Sequence, residues 1–70
     1  MELKNVLKNR REELGITQED LAEMAQVGLA TVKDIERGKA NPSLATISKI
    51  LDILGMDIQY NIRKPHFLSD

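Results

Sequence analysis

Up to Gly55 the apolar positions of this chain recur three and four residues apart, and beyond it they recur at every second residue. The first spacing stacks side chains on one face of a helix, the second on one face of a strand. Leu3, Val6, Leu7 and Leu14 fall near one face of a first helix, which Gly15 can end in the left-handed conformation, so a helix is predicted over 3–14. Thr17 opens a second. Its hydroxyl can accept from the free amides of the first turn, and Asp20, three residues on, stands where the reciprocal acid of a capping box belongs. Leu21, Ala22 and Ala25 form the inward side of that helix, the two alanines being small enough to let another helix approach closely. A third helix begins after Gly28, turns Val32 and Ile35 inward and stops at Gly38. Asn41-Pro42-Ser43 resets the chain with Ser43 as cap, and Leu44, Ile47, Ile50, Leu51 and Leu54 follow at helical spacing in a fourth helix until Gly55.

From Met56 the period changes to two. Met56, Ile58, Tyr60 and Ile62 alternate with Asp57, Gln59, Asn61 and Arg63, which predicts a half-buried strand. A lone strand leaves unpaired amides and carbonyls on both edges, so it must find a partner. The simplest is the same strand of a second copy, antiparallel across a two-fold axis, with Met56, Ile58, Tyr60 and Ile62 as the dimerisation residues. Lys64 to Asp70 holds Pro65 and no clear period. The expected organisation is a mainly α domain over 1–55, a dimerisation strand over 56–63 and a mobile tail over 64–70.

Composition supports a second copy, because a single domain of 70 residues buries only about 60% of its unfolded surface. The chain has no cysteine, which excludes disulfides, thiolate metal sites and a cysteine nucleophile, and fits a reducing cytoplasm. No apolar run approaches the roughly 20 residues a membrane span needs, so a cytoplasmic protein without a membrane partner is expected. The only histidine, His66, lies in the tail with no nucleophile-base pair or metal-ligand spacing around it. Neither catalysis nor a cofactor is expected.

A net charge of -1 argues mildly against nucleic acid. Position matters more than the sum. Lys33, Arg37 and Lys39 fall within seven residues at the third helix, and Lys4, Lys8 and Arg11 repeat at helical spacing in the first, while Glu12, Glu13, Glu19, Asp20 and Glu23 concentrate elsewhere. A solvated helix face explains Lys4 and Lys8 better than a binding role does. The two short helices hinged at Gln26-Val27-Gly28 have the spacing of a helix-turn-helix, in which the first helix lies across a DNA backbone and the second enters a major groove about 12 Å wide.

On that reading Gln18, in the first turn of helix 2, can donate its amide to a phosphate facing the positive end of the helix. Leu29 and Ala30 can contact thymine methyl groups, Lys33 can donate to guanine or phosphate, and Asp34 can accept from a cytosine amine or position a neighbouring lysine. Thr31 completes the candidate set on the third helix. Lys39 and Asn41, in the loop after it, are further phosphate candidates. Each has a plainer alternative: Leu29, three residues before Val32, can belong to the core; Asp34 can be a surface acid that tempers nonspecific binding; Ala30 can be simply a good helix former. Only the constellation is specific.

Leu14-Gly15-Ile16-Thr17-Gln18-Glu19-Asp20-Leu21-Ala22, then Thr31-Val32, Ile35-Glu36-Arg37-Gly38-Lys39 and Asn41-Pro42-Ser43-Leu44, resembles the phage Cro/repressor family, also called XRE, over roughly residues 3–55. The resemblance implies a four-helix repressor-like domain in which Gln18 and the positions of Leu29, Ala30 and Lys33 touch DNA. It also implies an internal ion pair between Arg11 and Glu36, joining helix 1 to helix 3. The chain departs from the family at Gln26, where a turn glycine is usual and a left-handed backbone costs another residue about 1–2 kcal/mol. It departs again at Gly28, which replaces a serine cap at a cost of a few tenths of a kcal/mol, and at Leu29, where a polar reader is common.

The strand after helix 4 is similar to that of HipB-type antitoxins, which implies a HipA-like serine/threonine kinase toxin as partner. The expectation is a homodimeric repressor of double-stranded DNA on a palindromic operator, autoregulating as an antitoxin. The alternatives are a stand-alone repressor and a protein-interaction module that does not bind DNA.

Overall fold

Side-chain caps open two of the four helices, and left-handed residues follow all four. The computed structural model describes residues 2–68, in which α1 spans Leu3–Glu13, α2 Gln18–Ala25, α3 Leu29–Glu36 and α4 Leu44–Ile53. Thr17 accepts from the Asp20 amide and Asp20 accepts from the Thr17 amide, both at 3.0 Å, so the capping box closes in full even though aspartate is shorter than glutamate. Ser43 accepts from the Thr46 amide at the start of α4. The stops are Gly15 at φ +70, Gly38 at φ +73 and Gly55 at φ +70.

The helices enclose one apolar core. Leu7 of α1, Leu21, Ala22 and Ala25 of α2, Val32 and Ile35 of α3, and Ile50, Leu51 and Leu54 at the end of α4 are buried. α2 packs on both α3 and α4, where its two small alanines permit close approach, and α1 packs on α3. The inward faces read from spacing are right at their centres and too wide at their ends: Leu14 is 44% exposed and Leu44 55%. Arg10 closes the last turn of α4 by donating through Nε to the Leu54 carbonyl at 3.0 Å. It thereby satisfies one of the acceptors that a helix C-terminus leaves open.

The segment after α4 departs from expectation. Met56 donates its amide to the Leu51 carbonyl at 2.8 Å, but residues 56–65 have no regular secondary structure, and there is no strand among the described residues. A ladder is made by two edges, and the helices of this chain satisfy their own backbones and offer none. Met56 and Ile58 pack against the core. Tyr60 and Ile62 do not, at 78% and 104% exposed. The structure therefore gives no support to the strand expected over 56–63, or to its pairing with a second copy. In the expected tail, His66–Leu68 form a turn of 3-10 helix, while 69 and 70 lie outside the described residues.

Candidate nucleic-acid interface

The hinge between α2 and α3 is built on Gln26, whose φ of 57 and ψ of 45 are left-handed. Its amide and that of Val27 close on the Glu23 and Ala22 carbonyls at 3.2 and 3.0 Å. The conformation is the one a glycine would adopt without strain. Gly28 then caps α3 with no side-chain hydrogen bond.

Val32 and Ile35 fix which side of α3 faces the protein, being 0% and 3% exposed. The opposite side is therefore the stripe Ala30, Lys33, Asp34 and Arg37, spaced at i, i+3, i+4 and i+7. Ala30, Lys33 and Arg37 are exposed. Leu29 is half-buried against the core and Thr31 half-buried on the other flank. Leu29 thus has part of the core role that its spacing from Val32 suggested. Asp34 is not a free carboxylate, since Arg37 Nη2 donates to its Oδ1 at 2.7 Å. Arg37 Nε also donates to the Lys33 carbonyl at 3.3 Å. Lys39 and Asn41 are exposed in the connection from α3 to α4. Lys8 is exposed on α1, and Lys4 pairs with Glu2 at 3.4 Å.

The base of the stripe is locked to the rest of the domain through one carboxylate. Arg11 Nε and Nη2 donate to the two oxygens of Glu36 at 2.8 and 2.9 Å, and Arg11 Nη1 donates to the Ile16 carbonyl at 2.9 Å. These are the two residues that the resemblance pairs, here in two parallel hydrogen bonds. The hydrogen bond to Glu36 raises the guanidinium above its ordinary value, against the opposing effect of burial. Gln18 Nε2 also donates to Glu36, at 3.2 Å. Its amide, expected to serve a phosphate, is thus partly engaged inside the protein and keeps its second hydrogen for another acceptor. The ends of α1, α2 and α3 meet at this point.

Sequence reasoning missed three of these contacts. Arg37 carried a usable signal, seven residues after Ala30 and three after Asp34. The Gln18–Glu36 and Arg10–Leu54 contacts, 18 and 44 residues apart, carried none.

Beside α4 an open groove of about 580 Å³ is lined by Leu44, Lys49, Leu51, Met56, Ile58 and Tyr60, among others. Among the described residues no helix is long and apolar enough to cross a membrane.

The chain matches the helix-turn-helix family over residues 7–61. It is 31% identical over all 70 of its residues to the HTH-type transcriptional regulator DdrOP3 of Deinococcus deserti, covering 54% of that protein. It is 36% identical over 55 residues, 79% of this chain and 80% of the relative, to an uncharacterized HTH-type transcriptional regulator of Methanothermobacter thermautotrophicus. To the uncharacterized HTH-type transcriptional regulator YqaF of Bacillus subtilis it is 45% identical over 51 residues, 73% of this chain and 67% of the relative. The chain thus spans about half the length of the first of these and two thirds or more of the others.

Proposed function

The chain belongs to the helix-turn-helix family, and from that premise we propose that the protein is a sequence-specific, double-stranded DNA-binding transcriptional regulator acting as a repressor. α3 enters the major groove, with Ala30 and the exposed part of Leu29 against thymine methyl groups and Lys33 donating to guanine or phosphate. Thr31 lies at the flank, and Lys39 and Asn41 meet the backbone beyond the helix. Gln18 reaches a phosphate with the hydrogen that Glu36 leaves free.

The observation that carries this reading is the stripe Ala30, Lys33, Asp34 and Arg37, opposite the buried Val32 and Ile35. A groove accepts a helix only if one long side of it is free of packing. The reader must also be held rigidly, which the Arg11, Gln18 and Glu36 contacts do. Selection from a random duplex pool at low ionic strength should enrich one common site, and a pool with no enrichment would overturn the reading.

The acting species is a homodimer, with two recognition helices in successive major grooves about 34 Å apart on a palindromic operator. The reading rests on the alternation of Met56, Ile58, Tyr60 and Ile62 along the sequence, and the structure leaves that segment open to a partner. No backbone amide from 57 to 64 bonds to a described backbone group, and Tyr60 and Ile62 are exposed, Tyr60 at the groove beside α4. Antiparallel pairing of this segment across a two-fold axis would occupy those amides and cover both side chains.

The narrower reading, an autoregulating HipB-like antitoxin with a HipA-like kinase toxin as partner, rests on the resemblance of the alternating sequence of this segment to the closing strand of such antitoxins. Co-expression with the product of the adjacent gene should give a complex that still holds the operator. An adjacent gene with no kinase-like product would leave the repressor without that role.

A further inference from the structure

Asp34 stands on the outward stripe of α3, yet its carboxylate is already engaged. Arg37 donates to it through Nη2 at 2.7 Å and to the Lys33 carbonyl through Nε at 3.3 Å. Those two donors lie on one edge of the guanidinium, so that edge faces the helix. The Nη1 end faces away, and no described residue accepts from it. An outward pair of Nη hydrogens is the geometry that meets two oxygens of one phosphate. The place in the helix agrees, because the N-terminal residues of a recognition helix meet base edges, whereas Arg37 caps the C-terminal end of α3. Charge agrees as well: an unpaired carboxylate on this stripe would repel the backbone, and Arg37 neutralises it.

From this geometry, and resting on the DNA-binding reading above, we infer that Arg37 is a phosphate-binding residue of the interface. Asp34 is the positioning residue that aims it, not a reader of cytosine. The pair is solvent-exposed, at 57% for Arg37 and 45% for Asp34. Exposed pairs contribute little to stability, so substitutions here leave the fold intact, as thermal melts of each variant should verify.

The test is an anisotropy titration across a salt series, using a duplex that carries the site enriched from the random pool by the unaltered protein. Arg37→Ala should lower the slope of log affinity against log salt by about one. Asp34→Ala should weaken binding about threefold, leave the base preference at every position of the site unchanged, and cause no further loss when Arg37 is already alanine. Tighter binding by Asp34→Ala, relaxed preference at one base pair, or an equal loss with and without Arg37 would show that Asp34 acts on the DNA itself. An unchanged slope for Arg37→Ala would remove Arg37 from the interface and leave the DNA-binding reading standing. Failure of the unaltered protein to enrich any site would sink both.

Discussion

Glu36, its side chain only 4% exposed, is held through both carboxylate oxygens by Arg11, 25 residues earlier in the chain. The pair sets where α3 ends relative to α1, and Gln18 brings α2 to the same carboxylate. A partly buried pair of this kind is costly to break from one side, because the survivor is left charged and short of hydrogen-bond partners.

Arg11→Met should therefore destabilise the domain by about 1–3 kcal/mol, with the Glu36 carboxylate keeping only the Gln18 amide. Replacing both residues, Arg11→Met with Glu36→Leu, should recover most of that loss, since two apolar side chains need no counter-charge. Urea unfolding of the two variants decides the matter. A double variant as unstable as the single one would mean that the pair does not act as a unit.

The strained hinge makes a prediction of opposite sign. Gln26 holds a φ of 57, which costs a residue with a side chain about 1–2 kcal/mol. Gln26→Gly relieves that cost and adds some freedom to the unfolded chain, so a net gain of about 1 kcal/mol is expected. A lower melting temperature for Gln26→Gly would show that the Gln26 side chain contributes more than the strain it imposes.

Acid should weaken the start of α2. The Thr17 backbone amide, helped by the Thr17 hydroxyl, holds the Asp20 carboxyl below the ordinary aspartate value. A folded value lower than the unfolded one means that the stabilisation is complete above the usual aspartate pKa of about 3.9. It is lost as pH falls through the folded value. The stability difference between the unaltered protein and Asp20→Asn should accordingly be steady at neutral pH and shrink in strong acid. A difference that grows on acidification contradicts the assignment.

What could be read from residue types follows a physical division. The helices were legible because their limits are local: Thr17 with Asp20, Ser43 with Thr46, and the left-handed glycines each act within a few residues. The Arg11–Glu36 pair was legible only through resemblance, since nothing in either residue announces a partner 25 positions away. The segment from Met56 forms no strand within one chain, for a different reason. Alternation specifies a strand only where another edge exists to complete it, and one chain of four helices supplies none. Arg37 is a different case: its spacing of seven from Ala30 and three from Asp34 already places it on the outward stripe.

That same segment gives the cleanest test of the proposed homodimer. Ile58 is unsuitable, because it packs against the core and a charge there would disturb the monomer fold as well as any contact between copies. Ile62 is 104% exposed and touches nothing that holds the domain together. Ile62→Asp should therefore leave the thermal melt of a dilute sample unchanged. It should also convert dimers to monomers in sedimentation and weaken binding to a palindromic site far more than to a single half-site. The argument turns on the exposure of one side chain: a large aliphatic group fully in water loses nothing when it becomes a carboxylate, unless a second molecule covers it. If sedimentation gives Ile62→Asp the same mass as the unaltered protein, the segment is not where the two copies meet.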